Sequence, residues 1–301
     1  MTTGTATLPL PRWEETAVVV EPPGDEPGSW AGAPSSIVAD GWVYLAYRLR
    51  LPIGEGRGIA NVVARSRDGI SFETVAEVTK DQFGAESLER PALVRTADGR
   101  WRLYVSVATP GTKHWRVDLL EADEPEKLGG APALTVLPGD GSAGVKDPVL
   151  HFDGRGWHLW ASVHPLDDPD ATDRMTTEHA TSPDGVDWTW QGTALAGTPG
   201  GWDARGVRFA TVVLAGSRTW ALYDGRATAA ENWEERTGLA VDDGEGRFTA
   251  AADGPLLHSP YPPYGLRYAD VVALPDGGAR WFYEATRADG AHELRTVLLP
   301  G

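Results

Sequence analysis

The residues best equipped for chemistry are two carboxyl groups that precede proline by one or two positions. These are Glu89, in Glu89-Arg90-Pro91, and Asp147, in Lys146-Asp147-Pro148. A pair of carboxyl groups facing one substrate can share acid–base work: one gives a proton to a leaving oxygen, and the other activates water or attacks carbon. In this pair Glu89 is expected as the acid, its pKa raised by burial and by Asp147, with Asp147 in support. Arg90 and Lys146 adjoin the two acids. Side chains alternate between the faces of an extended backbone, so adjacency in sequence does not establish pairing. A second set is basic: Arg48, Arg208 and Arg267. Guanidinium forks hold carboxylate, phosphate or vicinal hydroxyls in fixed geometry, so these three either bind an anion or neutralise the acids around them. Asp203, Asp224, Tyr268 and Asp270 are further candidates for the lining of a pocket, and His164 for its mouth. Gathered charge has a desolvation cost that function often explains; the plainer alternative is that Glu89 and Asp147 tie strands together.

The elements that must position these groups are strands. Gly and Pro number 36 and 23, and both oppose helix interiors. Period-two stretches rich in aromatic and β-branched residues recur, as in Trp42-Val43-Tyr44-Leu45-Ala46-Tyr47 and Trp157-His158-Leu159-Trp160-Ala161-Ser162. Each follows an apolar strand and a turn such as Asp40-Gly41, Asp98-Gly99 or Asp153-Gly154. Trp42, Trp101, Trp157, Trp220 and Trp281 mark five copies at a period of about 60 residues. The best helical stretch, Ala227 to Thr237, is short and lacks an apolar stripe. Five antiparallel units predict an all-β chain folded as one five-bladed β-propeller spanning 1–301, with blades near 30–80, 85–138, 144–196, 203–256 and 264–300. The early strand at 16–21 is expected to complete the last blade; a two-sheet sandwich is the competing architecture. In a propeller the first strand of each blade runs along the central channel, which would bring the charged strand starts together.

The strand starts also carry a resemblance. Val145-Lys146-Asp147-Pro148-Val149-Leu150, followed by Asp153-Gly154, resembles the third-blade Asp-Pro motif of glycoside hydrolase family 43. Leu88-Glu89-Arg90-Pro91-Ala92-Leu93 is similar to the Glu-x-Pro motif that carries the general acid in family 32. With Phe83-Gly84-Ala85-Glu86 before it, the same stretch resembles the Glu-Asp-Pro-Arg region of family 130. Tyr44 to Arg48 with Ala64 to Phe72 looks like the first blade of family 130. The resemblance implies a carbohydrate-active propeller that cleaves a glycosidic bond by hydrolysis or phosphorolysis. One departure stands out: families 43 and 32 place a catalytic Asp before the first-blade Pro, where this chain has Ala33. A methyl group is neither base nor nucleophile, so a propeller that binds without turnover, or acts on another small molecule, is the alternative.

Composition narrows the partners. The net charge is −16, which repels phosphate backbones and anionic membranes. No nucleic acid or membrane partner is therefore expected, and the substrate is a small molecule or an oligosaccharide. There is no cysteine, which removes disulfides and thiolate chemistry. The seven histidines show no metal-ligand spacing, so neither a metal nor another cofactor is expected. The start of the chain lacks a basic segment followed by an apolar core, which points to a cytoplasmic protein. Gly54-Glu55-Gly56-Arg57-Gly58 opens no helix and reads as a loop. Trp42, Trp101, Trp157 and Trp281 are expected to pack between blades, while Trp115, Trp202 and Trp233 are candidate sugar-stacking platforms.

Overall fold

A computed structural model describes residues 9–215 and 218–300; residues 1–8, 216–217 and 301 lie outside the described part. The chain is all-β and has the β-propeller architecture. The first antiparallel sheet comprises Trp30–Ala39, Trp42–Arg50, Gly58–Ser66 and Glu73–Thr79. The second comprises Leu88–Arg95, Trp101–Ala108, Trp115–Ala122 and Leu134–Leu137. The third comprises Ala143–Phe152, Trp157–Pro165, Thr176–Ser182 and Thr189–Leu195. The fourth comprises Gly206–Ala215, Arg218–Arg226, Arg236–Asp242 and Phe248–Ala250. The fifth has Leu266–Ala273, Ala279–Thr286 and His292–Leu299, and takes its outer strand, Ala17–Val20, from the other end of the chain. Ala17 pairs with Thr296 and Val18 with Arg295. The stretch from Ala227 to Thr237 forms only a 3-10 turn, Ala229–Glu231, before entering a strand.

Burial explains the ring. The inner strands contact one another in a closed circuit, the fifth meeting the first. One hydrophobic core lies between each neighbouring pair of sheets. Tyr44 and Val63 pack on Trp101 and Leu103, Tyr104 and Leu119 on Leu159 and Ala161, and Trp160 on Phe209 and Phe248. Leu222 packs on Trp281 and Tyr283, and Phe282 of the fifth sheet on Leu45 and Val62 of the first. The alternating pattern gives each strand two apolar faces of unequal depth, so every sheet needs a neighbour on both sides, and burying each large side chain contributes about 1.5–3 kcal/mol. Polar side chains tie sheets across these cores. Asn61 donates to the Glu89 carbonyl, Ser106 accepts from the Asp147 amide, Thr177 accepts from the Phe209 amide, and Thr237 donates to the Leu266 carbonyl.

Candidate functional site

Each inner strand breaks its register near its start. Two residues face one at Ala33-Pro34, Glu89-Arg90, Asp147-Pro148 and Tyr268-Ala269, and one extra residue, Ala210, sits in the fourth sheet. Ala33, Asp147 and Tyr268 take left-handed backbone at φ 53°, 55° and 55°. For residues with a Cβ this conformation costs about 1–2 kcal/mol, and the surrounding closed ring holds it. A bulge re-aims side chains, and the expected alternation fails here. Lys146 Nζ lies 3.4 Å from Asp147 Oδ2 although the residues are adjacent, and the Arg267 guanidinium lies 5.3 Å from the Tyr268 ring.

The bulges aim charged groups at one end of the axis, where they form a buried network. Arg48 donates to Glu89 and, at 2.8 Å, to Glu284. Arg267 joins Glu284 at 2.8 Å to Glu235 at 2.8 Å. Glu235 also accepts from Arg208 at 3.3 Å and from Arg226. Arg208 reaches Asp224 at 2.9 Å and Asp147 at 3.6 Å, and its guanidinium stacks 3.8 Å from the Tyr268 ring. Gly32 makes room for this: a Cβ there would stand 2.1 Å from Glu284 Oε2. Burial works against ionising Glu89, but Arg48, Lys146, Arg50 and Arg267 overcome it and hold the carboxyl well below the usual range. Glu235 and Glu284 are likewise held low by the arginines against their burial. Asp224 is pushed up to about 6, because burial and nearby Glu235 outweigh Arg208. Burial drives the Tyr268 phenol well above its ordinary value.

Above this network lies a cavity of about 160 Å3. Seven of the sequence candidates line it: Glu89, Arg48, Lys146, His164, Arg208, Arg267 and Tyr268. Five do not. Asp147 is 1% exposed and lies behind the wall on Lys146 and Arg208, with Oδ1 unbonded. Asp224 is fully buried behind Arg208 and accepts from the Tyr268 amide. Arg90 and Asp270 lie elsewhere in the channel: Arg90 donates to the Pro34 and Phe209 carbonyls, and Asp270 accepts from Ser36 at 2.6 and 2.5 Å. Asp203 is turned into the fourth sheet, where it accepts from the Tyr223 hydroxyl and the Thr198 amide, so it is no part of the cavity. The expectation of a raised Glu89 pKa is also overturned. Arg48, not Arg90, is the partner of Glu89, and Asp147 is itself engaged by cations. His164 bonds through both ring nitrogens, to Ser162 and the Thr172 carbonyl, and burial with Lys146 nearby lowers its pKa to about 3.

The sequence reading missed Trp30, Arg57, Lys113, Asp173, Arg226, Asn232 and Glu235, all of which line the cavity, and Glu284 behind it. Pairing with the inner strand was the available signal. Arg48, Asp224 and Glu284 sit opposite Gly32, Arg208 and Arg267 on the second strands of their sheets. Of the candidate platforms, Trp115 and Trp233 line the cavity, whereas Trp202 packs on Tyr223.

No protein-family model matches the sequence, and no curated protein matches it. Solved structures do match in fold. A thermostable family-43 glycoside hydrolase superposes with a TM-score of 0.68 at 14% identity, covering 89% of this chain and 88% of that one. A family-43 enzyme from Xanthomonas citri, complexed with xylotriose, gives 0.64 at 16% identity over 94% and 89%. A structure from work on family-130 mannoside phosphorylases and hydrolases that target β-1,2 mannosidic linkages in Candida mannan gives 0.61 at 15%, over 88% and 83%.

Proposed function

With the fold of the glycoside hydrolase-like propellers as premise, we propose that this chain is a single five-bladed domain that cleaves a glycosidic bond in the axial cavity. Glu89 is the group at the reacting centre. The observation that carries the reading is a buried carboxylate on an inner-strand bulge, facing a cavity walled by Trp30, Trp115 and Trp233. Aromatic faces suit the apolar faces of sugars. Held ionised by Arg48, Glu89 is suited to take a proton from an incoming water or to attack the anomeric carbon, and unsuited to donate a proton. The C–O bond to the leaving group breaks as the new bond to that carbon forms, and the departing oxygen takes its proton from solvent. Burial keeps the Tyr268 phenol protonated beside the cavity, against the pull of Arg208 and Arg48, so it can donate a hydrogen bond to developing negative charge. We place the enzyme in the cytoplasm; among the described residues no helix is long and apolar enough to cross a membrane.

The test uses Glu89→Gln on glycosides with poor and with good leaving groups. Loss of an ionised base or nucleophile should slow both by about 10²-fold or more. Wild-type turnover in the variant overturns the assignment of Glu89. A loss confined to poor leaving groups would make Glu89 the acid instead. Products formed with and without inorganic phosphate separate phosphorolysis from hydrolysis. One observation favours binding without turnover: Ala33, fully buried, holds the bulge position that Asp147 holds in the third sheet. Absence of cleavage across a glycoside panel, with binding retained, would support that second reading.

A further inference from the structure

The cavity is basic within a strongly acidic protein. Seven cationic side chains line it against three carboxylates, Glu89, Asp173 and Glu235. Acids behind the wall take up part of the excess: Glu284 serves Arg48 and Arg267, and Asp224 serves Arg208. Arg57 is taken by Glu86 at 2.7 Å, at an exposed position where water weakens the pair. Two cations, one on the wall of the cavity and one behind it, remain without a carboxylate within 4.0 Å among the described residues. One is Lys113, exposed on the wall. The other is Arg50, 1% exposed, with Nε unbonded and its guanidinium 3.9 Å from the Trp30 ring and 5.1 Å from the Trp233 ring. Lys146 has only Asp147, which it shares with Arg208, and its Nζ lies 4.8 Å from the Trp115 ring. An anionic ligand would supply the counter-charge that Lys113 lacks and that Lys146 shares with Arg208.

The cavity is also not closed. It shares Arg57, Lys113, Trp115 and Thr172 with a groove of about 620 Å3 that runs outward past His114, Leu166 and Pro169. The two together are of the size that binding sites for extended small ligands occupy, about 300–1,000 Å3. Lys113 and Arg57 lie at their junction, and Lys146, against the Trp115 ring, lines the cavity beside it.

We propose that the site takes an anionic saccharide, a glycoside whose sugar itself carries a carboxylate or sulfate. Its anionic group lies at the junction of cavity and groove, against Lys113, Lys146 and Arg57, with Trp115 against the sugar ring. The proposal rests on the reading of the cavity as a sugar site and names what that site selects. A protein of net charge −16 is repelled by a polyanion, so retention by one requires a site that overcomes the global field.

Native gels containing acidic glycans (homogalacturonan, alginate, glucuronoxylan, chondroitin sulfate) or neutral ones (xylan, arabinan, mannan) provide the probe. At least one acidic glycan should retard the protein, and the neutral glycans should not. Calorimetry with an oligosaccharide of the retained glycan should show binding weakened about 10- to 100-fold in Lys113→Ala/Lys146→Met, with a retained cooperative unfolding transition as the folding control. Lys113→Arg should retain most of the affinity. Retardation by neutral glycans only, or by none, overturns the proposal. So does phosphate at about 10 mM that binds alone and loses its site in the double variant while glycan binding is unaffected; the anion would then be free phosphate. Binding is read without turnover. An acidic glycan bound but never cleaved would sink the cleavage reading and leave this one standing, and cleavage of a neutral glycoside without acidic binding would do the reverse.

Discussion

The two sides of the cavity are built on opposite principles. On the side of the fourth and fifth sheets, with Arg48 of the first, nearly every charge has a partner: Glu235 holds Arg208, Arg226 and Arg267, and Glu284 holds Arg267 and Arg48. On the side of the second and third sheets, Lys113 has no carboxylate within 4.0 Å among the described residues, Lys146 shares one, and Trp115 lies between cavity and groove. A saturated network is rigid and costly to alter, because removing one member strands the others in a low-dielectric interior. A wall with spare charge contributes little to folding and leaves its charge for a ligand. The same axial end thus separates a scaffold from a recognition surface.

The largest effect that would break this comparison is on stability. Glu235→Ala leaves three buried guanidiniums short of an acceptor and should lower unfolding free energy by about 3–5 kcal/mol, read from urea midpoints. A loss under about 1 kcal/mol would mean that the fourth-and-fifth-sheet side is no scaffold. Acid comes next. Glu89, Glu235 and Glu284 have folded pKa values below their ordinary 4.5, so their contribution is complete above that pH and fades as the pH falls through it. Asp224 works in the other direction: raised from 3.8 to about 6, it favours the folded state at low pH and loses that contribution as the pH rises through about 6. The urea midpoint should therefore rise slightly from pH 7 to about 5 and fall steeply below 4.5. Asp224→Asn should remove the rise. A flat profile would place these carboxyls in ordinary surroundings. The smallest effect belongs to the open side: Lys113→Ala should change unfolding free energy by no more than about 0.5 kcal/mol, and a larger loss would make that side structural as well.

What the sequence made legible follows from locality. Turn dipeptides and period-two strands are local signals, and five copies of one local pattern reveal a ring. Inner-strand charges were legible because they interrupt apolar runs. The second-strand charges were legible only in part, Glu284 being missed, because their distance from the Trp markers varies: Arg48 lies six residues after Trp42, but Glu284 only three after Trp281. Their registers differ because the sheets bulge differently, with two residues against one in the first and fifth and a single extra residue in the fourth. Glu235 lies on no repeated position; it follows the 3-10 turn that leads into the third strand of the fourth sheet. The ionisation of Glu89 was misread because burial and Asp147 were expected to raise its pKa, while the neighbouring first sheet supplies Arg48 as a counter-charge that no local signal shows.

The pairing of Ala17–Val20 with the last strand has a kinetic consequence. Arg295 bonds to Thr16 across 279 positions of sequence, so the outermost seam of the fifth sheet joins the two segments that emerge from the ribosome furthest apart in time. Synthesis runs at about 5–20 residues per second. Until the final strand appears, the early segment has no edge to pair with, and the fifth sheet has neither its outer strand nor its contact with the first. The contact between the outermost sheets is then a late, high-contact-order event, and the arginine–glutamate network at the axis reaches its full connectivity only when that event is complete.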